Sequence, residues 1–325
     1  MLKTETSTPT TAERIRGIIY GLAVGDALGK GAEFFPKDKV QQMYPQGLTD
    51  YSQIRNRSLW GKGEWTDDAA QMLCILDSLV EKGCVDSLNI ARGFRQWADS
   101  DGRGIGQQTF KILYAPDFLY DPYSAAAHWW EKSKRTSAPN GAVMRTAVLG
   151  IWEFQQLERV ASNADKICRI THADPRCVAS CVAVSVAIAC LLRGMSLPDA
   201  IRSAEQYAEP YSLDVKDFFR LAQHGTLSDL CLDEAGAIGY TYKTMAAGLW
   251  ALNHASTFED GLIQIINEGG DADTNGAVAG ALLGAKFGFS AIPHRLVTGL
   301  LNKDFLESRI AKLTDIVLDA QPEVS

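Results

Sequence analysis

The sequence predicts an all-α fold, and three observations carry that expectation. Apolar residues recur at helical spacing through most of the 325 positions, bracketed by start and stop signals. No stretch sustains the two-residue alternation of a half-buried strand. Nor does any strand–helix alternation mark a parallel sheet.

Residues 1–9 lack the apolar stretch of a secretory signal and are expected to form a flexible tail, leaving residues 10–325 as one domain. Thr10-Thr11-Ala12-Glu13 has the pattern of a capping box and opens a helix carrying Ile15, Ile18, Ile19 and Leu22. Thr66 starts another, with Met72, Leu73, Ile75, Leu76, Leu79 and Val80 inward and Gly83 at its end. Ser87 precedes Ile90, Phe94 and Trp97. Asp174-Pro175 is an N-cap followed by proline in the first turn, and Gly194 closes that helix. Ser196-Leu197-Pro198-Asp199 repeats the same start. Further helical stretches run from Val215, Thr241, Thr257, Asp273 and Phe305. The connections 33–64 and 99–106 carry few helical signals, and loops of that length are more often functional than idle.

One regularity spans two helices. Glycine stands at every fourth position at Gly17, Gly21, Gly25 and Gly29, and again at Gly276, Gly280, Gly284 and Gly288. Each costs about 1 kcal/mol relative to alanine in a helix interior. A bare stripe offsets that cost only where it lets another helix approach closely. The stripes flank the most acidic motifs in the chain, so the close packing is expected to hold a site in place.

Composition narrows the function classes. Lys plus Arg total 32 against 39 for Asp plus Glu, a formal charge of −7, which disfavours nucleic acid or an anionic membrane as the main partner. No uninterrupted apolar run reaches the roughly 18 to 20 residues of a membrane span. The longest, Cys177 to Leu192, contains Ser180 and Ser185 and reads as a core helix. Seven cysteines without a Cys-x-x-Cys pair fit buried free thiols in a reducing cytoplasm better than disulfides or a zinc site.

The chemistry gathers at two helix starts. Trp65-Thr66-Asp67-Asp68 precedes one apolar helix, and Gly269-Gly270-Asp271-Ala272-Asp273-Thr274-Asn275-Gly276 precedes another. Capping and the helix dipole account for one such cluster alone. Adjacent aspartates in one and an Asp-x-Asp in the other exceed that need. If the two starts converge, four carboxylates share a small volume and repel unless cations neutralise them. An all-oxygen set without His or Cys selects a hard cation, Mg²⁺ or Mn²⁺ ahead of Ca²⁺. The run from Asp271 imitates an EF-hand loop, but its twelfth position is Leu282 instead of glutamate, which excludes one.

Taken together, these segments resemble the ADP-ribosylglycohydrolase family. The match lies in Gly21-Leu22-Ala23-Val24-Gly25-Asp26-Ala27-Leu28-Gly29 with Glu33, Trp65-Thr66-Asp67-Asp68, Asn140-Gly141-Ala142-Val143-Met144-Arg145, Thr171-His172, Gly239-Tyr240, and the run from Gly270 to Gly276. The resemblance implies a compact orthogonal multi-helix domain with two divalent cations, Mg²⁺ or Mn²⁺. It implies Thr66, Asp67, Asp68, Asp271, Asp273 and Thr274 as metal ligands, Glu33 beside them, and Asp26 orienting the metal loops or capping locally. The implied reaction is hydrolysis of the bond between C1 of the distal ribose and an acceptor side chain. Asp67 or Asp68 would be its base, with Glu33 as rival.

For the rest of ADP-ribose, Gly104-Ile105-Gly106-Gln107 and the loop through Asn140 and Gly141 are able to offer backbone N–H groups to a pyrophosphate. Arg145 is expected to hold phosphate or support its loop, His172 to touch phosphate or ribose, and Tyr240 to stack on adenine. Arginine of an ADP-ribosylated protein is the first expected acceptor, because an acidic loop group such as Asp101 could pair a guanidinium. Serine and nucleic-acid ends are the alternatives, and Lys243 departs from the acidic residue of the dinitrogenase-reductase branch. A second reading is an immunity protein that docks on an ADP-ribosyltransferase toxin, its tail plugging the toxin's cleft. A third, a catalytically silent relative, leaves four clustered carboxylates without a purpose.

Overall fold

The computed structural model describes residues 8–55 and 59–319. Among the described residues the architecture is helical and contains no strand, only an isolated bridge between Pro139 and Tyr240. The first helices are α1 (Thr11–Gly29), α2 (Lys37–Met43), α3 (Asp67–Lys82), α4 (Ser87–Ser100), α5 (Gln107–Leu113), α6 (Pro122–Lys132) and α7 (Leu157–Arg169). They are followed by α8 (Pro175–Leu192), α9 (Leu197–Ala208), α10 (Val215–His224), α11 (Thr241–His254) and α12 (Phe258–Ile266). The last are α13 (Ala272–Phe287), α14 (His294–Gly299) and α15 (Lys303–Asp319), and a 3-10 run over Val143–Gly150 joins α6 to α7.

Most of the sequence signals act as expected. Asp174 accepts from the Arg176 N–H at 2.9 Å, Ser196 from Asp199 at 3.3 Å and Thr257 from Asp260 at 3.0 Å, each satisfying a first-turn donor. Two starts differ in detail. Thr10 Oγ1 accepts from Glu13 at 3.2 Å, but the Glu13 carboxylate turns away to Ser290, so only half the box forms. The cap of α4 is Asp86, bonded to the Asn89 N–H at 2.9 Å, one residue before Ser87.

The long connection 33–64 is not wholly irregular, because α2 lies within it. Helices α5, α6, α7 and α14 also lie outside the expected set, although Asp121-Pro122 repeats the Asp174-Pro175 start at α6. Helix α8 is long and apolar enough to pass for a membrane span by composition, yet 89% of it is buried inside the protein, as expected of a core helix. The cysteines are all free, but Cys84 and Cys231 are exposed, so the expectation of uniformly buried thiols does not hold. Of the expected tail, residues 1–7 lie outside the described residues, and Pro9 lies against Gly288 at the end of α13.

The two glycine stripes pack on each other. Helices α1 and α13 run antiparallel, and a Cβ on Gly21 would sit 2.1 Å from the Gly280 carbonyl oxygen. One on Gly25 would sit 2.0 Å from Gly276, and one on Gly17 would sit 2.6 Å from Gly284. No side chain fits between these backbones. The pairing brings the end of α1 to the start of α13, where Gly29 faces Ala272 and Asp273.

Candidate active site

That junction builds the site. Asp26, in the last turns of α1, points its carboxylate at the start of α3. Both oxygens accept from the Thr66 N–H at 2.9 Å, and Oδ2 accepts from Ala69 at 3.1 Å. Thr66 makes no cap with its own side chain, so α3 is capped in trans by α1. Thr66 Oγ1 instead donates to Asp68 Oδ2 at 3.2 Å. The loop before α13 is bent at Gly269 and Gly270, both with positive φ, and tied to the chain after α1 by backbone bonds from Phe34 to Gly270 and from Gly270 to Phe35.

Segments far apart in sequence therefore meet. Carboxylate oxygens of Asp26, Asp68 and Asp273 all lie within 4.8 Å of one another, as do those of Glu33, Asp271 and Asp273. Burial pushes Asp26, Asp67 and Asp271 up to about 7 and Asp273 to about 6, and it raises Asp68 well above the usual carboxylate range. Neighbouring carboxylates add to the rise, most heavily at Asp68. Asp68 Oδ1 is buried and has no hydrogen-bond partner. A buried carboxylate oxygen without a partner, in a cluster where burial and like charges oppose ionisation, is the environment a hard divalent cation satisfies, so these residues fit the expected metals. One cation of the chain already reaches them: Lys30 pairs with Glu33 and lies 3.9 Å from Asp273. Sequence reasoning passed over Lys30, although its i,i+3 spacing to Glu33 was visible.

A cavity of about 320 Å³ opens above the carboxylates. Glu33, Asp67, Asp68, Asp271, Asp273 and Thr274 line it together with Gly104, Gly106, Asn140, Gly141 and His172. A larger cleft of about 500 Å³ lies behind α3 near Trp97 and Phe305 but lacks the converging carboxylates, so size alone would misplace the site. Four of the expected residues do not line the cavity. Thr66 lies beneath Asp68, Ile105 packs against the core, and Tyr240 packs its ring on Phe218 and Tyr242.

Arg145 is the fourth, and it is fully buried. Its guanidinium donates to Gln71 Oε1 and to Thr171 Oγ1 and lies 4.2 Å from the centre of the Phe94 ring. Gln71 in turn donates to Asp67 at 3.1 Å, and Thr171 Oγ1 pairs with His172 Nδ1 at 2.8 Å. Arg145 thus supports both walls from below, and of the two expected roles only support matches its position. Because Thr171 Oγ1 accepts from Arg145, its hydroxyl is free to donate to Nδ1, which leaves His172 with its proton on Nε2 as a donor in the cavity. Burial, followed by the Arg145 charge, pushes His172 well below its usual value, so it is neutral.

Other positions have local partners. Asn140 donates at 2.9 Å to Asp271 Oδ2 and to Thr244 Oγ1, which fixes the Asp271 carboxylate. Gly104, at φ +82, leaves room for Asp67, since a Cβ there would lie 2.5 Å from Oδ1. Asp101 does not wait for a guanidinium from outside: Arg103 of this chain already holds it at 2.6 Å. Lys243 pairs with Glu234 at 2.5 Å.

Comparison with known proteins agrees with this geometry. The family model for ADP-ribosylglycohydrolase matches residues 7–323. An ADP-ribosyl-[dinitrogen reductase] glycohydrolase of Rhodospirillum rubrum is 29% identical, over 95% of this chain and 97% of that protein. An ADP-ribosylarginine hydrolase of Serratia proteamaculans is 26% identical, over 96% and 80% respectively. A solved structure described as an ADP-ribosylglycohydrolase-related protein complex superposes with a TM-score of 0.71 at 27% identity, covering 94% of this chain and 99% of that one. With the fold, the acidic centre and the whole-length match in agreement, the chain belongs to the ADP-ribosylglycohydrolase family, enzymes that hydrolyse ADP-ribose from modified substrates.

Proposed function

We propose that this chain uses two divalent cations, Mg²⁺ or Mn²⁺, to release ADP-ribose from arginine side chains of modified proteins. The observation that carries the reading is the orphaned Asp68 oxygen within a carboxylate cluster drawn from α1, α3 and α13, at the floor of a cavity. The arginine acceptor draws support from the Serratia relative's name.

Thr66, Asp67, Asp68, Asp271, Asp273 and Thr274 would hold the cations, which when bound anchor ribose hydroxyls and lower the pKa of water. Asp68 is enclosed by other carboxylates, and Glu33 is committed to Lys30, so Asp67 is the better placed base. It lines the cavity, and Gln71 holds one of its oxygens while Gly104 makes room for the other. Water adds at C1 as the bond from C1 to the acceptor nitrogen breaks. Asp67 takes the water's proton, and the guanidinium leaves with the C1–N electron pair as a neutral guanidine, which then takes up that proton from Asp67. Positive charge building on the ribose ring faces the carboxylates, which stabilise it. His172 Nε2–H and the backbone of Gly106 and Gly141, in the same cavity, would offer donors to the diphosphate.

The test is release of free ADP-ribose from arginine-, serine- and nucleic-acid-linked substrates with Mg²⁺, Mn²⁺ or EDTA. Release from the arginine substrate alone, abolished by EDTA, is the expected result. Release from only another linkage would replace arginine as the acceptor. Asp67→Asn should lower kcat by about 10²-fold or more. Unchanged turnover would remove Asp67 as the base.

A further inference from the structure

Phe34 pays twice for its place. It has φ +59, a left-handed conformation that a bulky side chain rarely adopts, and the residue is 63% exposed. The backbone has a reason for that conformation: Phe34 N–H donates to Gly270 O at 2.6 Å and Gly270 N–H to Phe35 O at 2.9 Å, which pins the loop before Asp271. That reason needs the conformation and not a phenyl ring. Glycine would meet it with less strain and without exposing an aromatic face. Among the described non-glycine residues with positive φ, the others are Lys134, Arg135, Glu153, Cys231 and Asn302, none of them aromatic.

The ring's position supplies the missing reason. Phe34 lines the cavity next to Glu33, whose carboxylate lies within 4.8 Å of those of Asp271 and Asp273. We propose that Phe34 is a specificity residue whose ring stacks on the planar guanidinium of the acceptor arginine. Guanidinium is flat, cationic and weakly hydrated, and it pairs with aromatic faces. An exposed ring at the cavity gives that plane a face to stack on, whereas a serine hydroxyl offers neither plane nor charge. Asp101, the other candidate for the guanidinium, is occupied by Arg103. The inference rests on the proposed arginine activity and names the group that reads the acceptor.

The experiment uses the full chain with Mn²⁺, an ADP-ribosylated arginine peptide as substrate and free ADP-ribose as inhibitor. Phe34→Gly should keep or raise the thermal midpoint while raising KM for the peptide about threefold to tenfold, with ADP-ribose inhibition unchanged. Phe34→Tyr should restore the KM; Phe34→Leu, which keeps bulk without a π face, should not. An unchanged KM in Phe34→Gly, or wild-type KM in Phe34→Leu, would overturn the proposal. An equal loss of ADP-ribose inhibition would also overturn it, because the ring would then serve the nucleotide. Failure of the wild type to cleave the arginine peptide would bring down the proposed function itself, a result distinct from an active enzyme indifferent to Phe34.

Discussion

Asp26 and Arg145 show how much of this site is held by groups outside the cavity. Asp26 caps α3 from another helix, so removing it leaves two buried N–H groups at the start of α3 without their acceptor. Asp26→Ala should cost about 1–2 kcal/mol, read as a lower urea midpoint, and should weaken Mn²⁺ uptake because Thr66, Asp67 and Asp68 lose their anchor. Arg145→Met would leave Gln71 Oε1 and Thr171 Oγ1 without their donor, at a cost of about 3 kcal/mol by the same measurement. Loss of less than about 1 kcal/mol would deny Arg145 its place as a strut. The Asp26 motif stood out in the sequence beside its glycines, but the role of Arg145 did not. Its partners lie 74 and 26 residues away, and nothing local to Arg145 distinguishes a phosphate-binding arginine from a buried one.

Among the helices, the α1–α13 pair carries the strongest positional demand. Alanine normally gains about 1 kcal/mol over glycine in a helix, but at Gly21 its methyl would meet the Gly280 carbonyl. Gly21→Ala should therefore destabilise by about 3 kcal/mol and loosen metal binding at the same time, because α1 and α13 carry Asp26 and Asp273. Gly93→Ala on α4, whose nearest neighbour would be the Cys74 Cβ at 3.6 Å, should stabilise by about 0.5–1 kcal/mol. Equal effects at the two glycines, measured by thermal or urea unfolding, would contradict the packing argument. The period-four repeat announced that some backbone would come close; that the two stripes meet each other antiparallel is a long-range fact. Helices with a capping residue before a long apolar period were legible, as at α3, α8 and α9. The seven-residue α2 and α5 were not, since two turns are too short to show a period.

Across the molecule, the buried carboxylates couple stability, pH and metal. Asp26, Asp67 and Asp271 keep their protons to about pH 7 in the folded protein, against about pH 4 in the unfolded chain. Between those values the folded state binds more protons, so its stability falls as pH rises. The contribution is complete below about pH 4 and is lost by about pH 8. His172, held neutral, acts in the opposite sense, but only below its unfolded value near 6.5. From pH 6.5 to 8 the carboxylates therefore dominate this site's contribution, and EDTA-treated protein should show a falling thermal midpoint. Mn²⁺ should add more stability at pH 8 than at pH 6.5, because cations replace protons that are no longer bound. A midpoint that rises with pH in EDTA would contradict the cluster's electrostatics. The excess of carboxylates at two helix starts was legible and said what would follow if they converged, but like charges give no reason to meet, so their convergence came only with the resemblance; so did the roles in the wall built from 137–141 and His172, whose polar groups are ordinary turn residues in isolation.

Calorimetric titration of the EDTA-treated full chain with Mn²⁺ at pH 7.5, for wild type, Asp68→Asn and Asp273→Asn, bears most directly on the central claim that α3 and α13 jointly hold the metal. The wild type should take up two ions, and each variant should lose an ion or at least about tenfold in affinity. Undiminished uptake by both variants, or none by the wild type, would contradict it.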